Sequence, residues 1–114
     1  MWKGLILDFN SYQEKSRSTA IYNSKYAVMY PAMGLGGEAG EVLNKVKKLY
    51  RDQDGVILDE DRFTLIAELG DCLWYIAQLA SDLGIQLDTI AHTNLYKLQD
   101  RKERNVIQGS GDDR

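Results

Sequence analysis

The sequence has little of what interrupts, crosslinks or metallates a chain. Its 114 residues include one proline, Pro31, one cysteine, Cys72, and one histidine, His92. A lone cysteine forms no internal disulfide, which fits a reducing compartment and gives Cys72 the role of a small apolar residue beside Asp71. A thiol nucleophile wants a basic partner, and His92 falls on a different predicted helix. Zinc wants clustered Cys and His, and no such cluster exists. A di-iron bundle wants Glu-x-x-His, but Thr89 stands three residues before His92. No apolar run approaches the ~20 residues that span a bilayer. The opening segment, Met1 to Asp8, is too short and too soon interrupted for a signal peptide. These absences predict a cytoplasmic protein without a membrane partner. Basic residues are not in excess, since the formal net charge is -3, so nucleic acid is not an expected partner.

What is present is helical pattern. Hydrophobic residues make up 44% of the chain, enough for one globular domain over residues 1–114. A first helix is predicted from about Asp8 to Met29, with Asp8 or Asn10 as N-cap and Pro31 as its terminator. A second runs from about Ala32 to Tyr50, its apolar positions 35, 39, 42, 43, 46 and 49 following helical period. Arg51 to Asp59 reads as a loop, with Val56-Ile57-Leu58 docking on the helices. A third helix runs from about Asp61 to Leu83, with 65, 69, 72, 73, 76, 79, 80 and 83 inward and Gly84 as its C′ residue. A fourth runs from about Gln86 to Glu103, with Leu87, Ile90, Ala91, Leu95 and Leu98 inward. Residues 105–114 have the composition of a mobile tail. Four helices with short connections predict an all-α four-helix bundle. So small a bundle leaves apolar faces uncovered. Tyr22, Tyr26 and Tyr30, at i, i+4 spacing beside Tyr12, suit a core or a subunit interface, so an oligomer is expected.

Two acidic pairs carry the chemistry. Glu38 and Glu41 stand in Gly37-Glu38-Ala39-Gly40-Glu41, and Glu68 and Asp71 in Glu68-Leu69-Gly70-Asp71. At i, i+3 spacing each pair projects from one helix face. One such pair is more often solvated surface than a site. Here both interrupt apolar stripes, and packing two such helices together crowds four negative charges near a core. That is unfavourable unless a cation neutralises them. Oxygen-only ligands suit Mg²⁺ or Mn²⁺. Gly37, Gly40 and Gly70 each cost ~1 kcal/mol against alanine in a helix interior, which implies close helix approach or a nearby ligand.

Basic residues form a second set. Lys45 and Lys48 follow Glu41 on the second helix, and Asn94, Lys97, Arg101 and Arg104 recur at three- and four-residue steps on the fourth. Cations bordering an acidic metal site fit a phosphorylated substrate, with ordinary surface charge as the competing reading. Trp74, Tyr75, Tyr96 and the first-helix tyrosines are candidates for stacking on a base. Gly34-Leu-Gly36-Gly37 is no dinucleotide fingerprint, because no strand precedes it. Asp52-Gln-Asp54-Gly55 departs from a calcium loop, its glycine coming too early.

The stretches Leu35-Gly36-Gly37-Glu38-Ala39-Gly40-Glu41-Val42, Glu68-Leu69-Gly70-Asp71 and Asn94-Leu95-Tyr96-Lys97-Leu98 together resemble a MazG-type nucleoside triphosphate pyrophosphohydrolase, within an all-α superfamily that includes dimeric dUTPases. The resemblance covers roughly residues 10 to 105. The family motif is Glu-Glu-x-x-Glu followed by Glu-x-x-Asp. By resemblance Glu38, Glu41, Glu68 and Asp71 match the metal positions, and Glu38 or Glu41 orients the attacking water. Gly37 stands where the family's first glutamate would be. The resemblance implies Mg²⁺-dependent hydrolysis of an NTP or dNTP to monophosphate and pyrophosphate, and assembly as a homodimer or homotetramer. Lys45, Lys48, Asn94, Lys97 and Arg101 are then expected to bind substrate phosphates. Two alternatives are a dUTPase or dCTPase of the same fold and a non-enzymatic helical oligomerisation module.

Overall fold

A computed structural model describes residues 6–114, so the opening segment Met1 to Asp8 lies partly outside the described residues. Four α-helices follow in order: α1 (Phe9–Arg17), α2 (Met29–Gln53), α3 (Asp59–Asp82) and α4 (Leu87–Glu103), with a single 3₁₀ turn at Ser24–Tyr26. Among the described residues there is no strand.

Asp8 caps α1, its carboxylate accepting the Ser11 N–H at 2.7 Å. The helix stops at Arg17 rather than at Met29. The hydroxyls of Ser16, Ser18 and Thr19 donate to the carbonyls of Gln13, Lys15 and Ser16. Such local bonds compete with helix propagation. Pro31 therefore terminates nothing. It sits in the first turn of α2, where a backbone N–H would have no partner anyway. Tyr22, Tyr26 and Tyr30, predicted on one helix, lie instead in a turn, in the 3₁₀ segment and at the start of α2. Tyr22 and Tyr30 still stack, ring centroids 4.8 Å apart.

The entry to α2 is a γ-turn. Met29 N–H donates to Ala27 O at 2.8 Å, and Val28 holds φ 68 and ψ -55. That conformation is rare and strained for a β-branched residue. Asp82 steadies it by accepting the Val28 N–H at 2.9 Å.

Helices α2 and α3 form an antiparallel hairpin. Lys45 approaches Glu68 at one level, and farther along Gly34 lies so close to Tyr75 that a methyl group there would overlap the ring. The joint turns at Asp54 and Gly55, both left-handed (φ 57 and 78). Asp61 secures it, accepting from Leu58 N–H and Gln53 Nε2. Val56, Ile57 and Leu58 are exposed there rather than docked. As expected, Gly84 ends α3 in the left-handed region, with Ile85 N–H returning to Ala80 O at 2.8 Å.

Helix α1 packs on α3, where the wholly buried Gln78 donates to Ser16 Oγ at 2.8 Å and accepts from Arg17. The start of α4 is tied to α1, Gln13 Oε1 accepting the Leu87 N–H and Asn10 Oδ1 the Asp88 N–H. Helix α4 thus packs on α1 and α3 but not along α2. The all-α expectation holds, although the four helices of one chain do not all pack on one another.

The chain is open. Its radius of gyration is 16.9 Å, against about 13 Å for a compact chain of this length. Pro31, Leu49, Ala77, Ala80 and Leu87 are the buried apolar side chains among the described residues. Leu43 and Leu69, predicted inward, are 72% and 55% exposed, and Phe63, Ile66, Leu95 and Leu98 are exposed too. Periodicity identified apolar faces correctly as faces. It could not tell which of them a single chain covers.

Candidate functional site

The hairpin sets one acidic pair against the other. Oxygens of Glu38, Glu68 and Asp71 all lie within 4.8 Å of one another. Glu41 stands outside that trio, yet its charge still acts on Glu38. The Glu38 carboxyl is pushed above its ordinary range by desolvation, then by its hydrogen bond to Glu68 and the charges of Asp71, Glu68 and Glu41. Such a group needs a proton or a cation. The donor set contains oxygen only. The nearby Cys72 thiol is itself pushed up by burial and by Glu38, Asp71 and Glu68, so it remains a neutral thiol. A hard divalent cation fits these residues. Lys45 supplies part of the compensation, its Nζ lying 3.6 Å from Glu68 Oε1.

The glycines around the acids do not mark close packing within the chain. A Cβ at Gly37, Gly40 or Gly70 would meet no described atom within 4 Å. The close approach is at Gly34, against Tyr75. What the other glycines provide is room beside the carboxylates.

Two cavities flank the trio along α3. Toward the hairpin joint, Lys45 and Lys48 line one of about 170 Å³ with Thr64 and Leu65. Beyond Asp71, Tyr12, Lys15, Thr19 and Trp74 line one of about 350 Å³. The Trp74 indole N–H donates to Thr19 Oγ1 at 2.8 Å, which fixes the ring. The Tyr12 phenol is pushed up by burial and then by the Asp71 charge. Tyr12 was expected as one of the first-helix tyrosines, in a packed stripe or stacked on a base. It meets Trp74 across the cavity by long-range packing, which local spacing does not encode.

The other aromatic candidates are placed differently. Tyr75 packs among Trp74 (5.1 Å), Tyr30 (6.2 Å) and Gly34. Tyr96 is 75% exposed on α4. On the same helix Lys97 and Arg101 pair with Asp112, and Asn94 is exposed. No described contact joins Asn94, Lys97 or Arg101 to the acidic trio.

Comparison with known proteins adds the family. The chain is 55% identical over 109 residues to the "Gene 37 protein" of Mycobacterium phage L5, a match covering 90% of this chain and 96% of that one. No solved structure matches it. Residues 32–106, the span that holds both acidic pairs, match the model of the MazG nucleotide pyrophosphohydrolase domain. The chain belongs to the MazG nucleotide pyrophosphohydrolase family.

Proposed function

We propose that this protein is a Mg²⁺-dependent nucleoside triphosphate pyrophosphohydrolase that converts an NTP or dNTP to its monophosphate and pyrophosphate. The observation that carries the reading is the convergence of Glu38, Glu68 and Asp71 on one point in a chain of this family. Those three residues, with Glu41 beside them, would hold the cation. Bound there, Mg²⁺ (or Mn²⁺ in its place) supplies positive charge for the phosphate oxygens and a more acidic water.

The chain's own residues do the rest. The bond that breaks joins the α- and β-phosphoryl groups, and the one that forms joins water oxygen to phosphorus. Glu38 or Glu41 orients that water and takes its proton. Lys45 and Lys48 offset charge on the phosphates from the joint side of the trio. Trp74 and Tyr12 offer an apolar, ring-lined cavity for the base on the other side. Substrate would then lie along α3, phosphates toward Thr64 and base toward Trp74. Asn94, Lys97 and Arg101 of α4 are the further candidates for the phosphates, although no described contact joins them to the trio.

The test is a panel of NTPs and dNTPs with Mg²⁺, scoring monophosphate and pyrophosphate together. Turnover of many substrates supports the general reading, and turnover of dUTP or dCTP alone supports the specialised one. No turnover, with no change in melting between EDTA and millimolar Mg²⁺, leaves a helical interaction module. For the enzyme the melting temperature should rise by about 4 °C or more in Mg²⁺, because binding favours the folded state by mass action.

The apolar faces support an oligomer. Leu43, Phe63, Ile66 and Leu69 are exposed on α2 and α3, near glycines with open space beside them. Paired hairpins would cover both. Light scattering should give at least twice the 13.0 kDa of one chain. A species of 13.0 kDa alone at micromolar concentration would count against assembly.

A further inference from the structure

Residues 105–114 carry the composition of a mobile tail but fold back onto α4. The chain reverses at Asn105 (φ 57), and Gly109 and Gly111 adopt φ 146 and 82. Arg114 closes the loop on itself, donating to the carbonyls of Val106, Ile107 and Gly111. Arg104 donates to Arg114 O at 2.7 Å. The tail thereby carries Asp112 to two cations one helical turn apart. Lys97 Nζ reaches Asp112 Oδ1 at 3.1 Å, and Arg101 reaches the same oxygen at 3.0 Å and the Asp112 carbonyl at 2.7 Å.

The exposures of the partners are unequal. The Arg101 side chain is 7% exposed, whereas that of Asp112 is 79% exposed. A guanidinium is thus covered by a carboxylate that itself stands in solvent. One oxygen bridging an ammonium and a guanidinium is also how a phosphate oxygen would be held, and phosphate brings more charge and more acceptors. Ion pairs with so exposed a member are individually weak, so the tail can be displaced.

We infer that Lys97 and Arg101 form an anion site that Asp112 occupies as an internal ligand, and that a substrate phosphate must displace the tail to reach it. This rests on the reading that the α4 cations meet substrate phosphates. The tail is then a latch. The apparent affinity for substrate is then the intrinsic affinity multiplied by the fraction of molecules whose tail is open. The closed tail also keeps Arg101 paired and out of water when no nucleotide is bound.

The experiment titrates full-length protein with inorganic tripolyphosphate in a calorimeter, and measures KM and kcat for whichever nucleotide the wild type turns over. Asp112→Asn removes the internal anion and should tighten tripolyphosphate binding, and lower KM, by roughly three- to tenfold. kcat should stay within about twofold, which a general loss of packing would not produce. Asp112→Glu should restore wild-type values. Deleting residues 109–114 should act like Asp112→Asn, which keeps the inference testable if the point variant folds poorly. Lys97→Ala should weaken binding and shrink the effect of Asp112→Asn when the two are combined. Tripolyphosphate affinity in Asp112→Asn and in the deletion equal to or below wild type overturns the latch. A wild type that hydrolyses no nucleotide while Asp112→Asn still gains tripolyphosphate affinity overturns the enzymatic reading instead, and leaves the latch standing.

Discussion

Asp71→Asn should lower triphosphate turnover by roughly two orders of magnitude or more, with little harm to the fold. The substitution keeps the shape of the side chain and removes one charged oxygen from the point where Glu38, Glu68 and Asp71 converge. Metal catalysis supplies several kcal/mol of charge stabilisation, and each ~1.4 kcal/mol is tenfold in rate. Glu41→Gln should act in the same direction. It tests whether Glu41, which stands outside the trio, belongs to the machinery at all. The apo protein should melt no lower than wild type in EDTA, because the charge of Asp71 is among those that push Glu38 up. The Mg²⁺-induced rise in melting temperature should shrink together with turnover. Glu60→Gln, a change in the first turn of α3 away from the trio, serves as the control. An Asp71→Asn enzyme that turns over triphosphates at the wild-type rate would sink the site assignment.

The convergence of Glu38, Glu68 and Asp71 was legible because its grammar is local. An i, i+3 pair on a helix needs only 3.6-residue periodicity to place both side chains on one face, and an apolar stripe beside each pair says which faces meet. Arg51 to Asp59 was read as a loop between two such stripes, and the turn falls within it at Asp54 and Gly55. Failures came where tertiary contacts overruled local pattern. Pro31 fits a helix's first turn as well as it marks a helix's end, and the run from Ser16 to Thr19 was the truer stop signal. The inward faces of Leu43 and Leu69 were real stripes without a cover inside one chain. The tail's Gly-Ser-Gly-Asp composition reads as disorder, and the cations Lys97, Arg101 and Arg104 give it somewhere to bind.

Asp82 was missed altogether, although one anomaly pointed to it. It is the last residue of α3, and that turn contains no basic residue. A carboxylate there opposes the helix dipole and needs positive or donor groups from elsewhere. The fold supplies three. Arg17 donates to Oδ1 at 2.8 Å, and Tyr22 O–H and Val28 N–H donate to Oδ2 at 2.7 and 2.9 Å. The side chain is 1% exposed. One residue thus ties the end of α1, the following turn and the strained entry to α2 onto α3. Asp82→Ala strands all three donors at once and should cost about 2–4 kcal/mol, the lower part of that range allowing for the solvent that Arg17 keeps. For a chain of this size that corresponds to a fall in Tm of about 8–20 °C. Asp82→Asn keeps the shape but turns an N–H₂ toward the donors, so its loss should be smaller yet of the same sign. The pH dependence has a fixed direction. Burial alone would raise the Asp82 carboxyl, but the Val28, Tyr22 and Arg17 hydrogen bonds outweigh it and hold the pKa below the ordinary value of 3.8. Its contribution is therefore fully present above that value and disappears as pH falls through the lower folded pKa. Wild type and Asp82→Ala should differ most near neutral pH and converge in strong acid. Denaturant melts at neutral pH and below pH 3 check this, and an Asp82→Ala protein as stable as wild type at neutral pH would show that α2 is held to α3 without it.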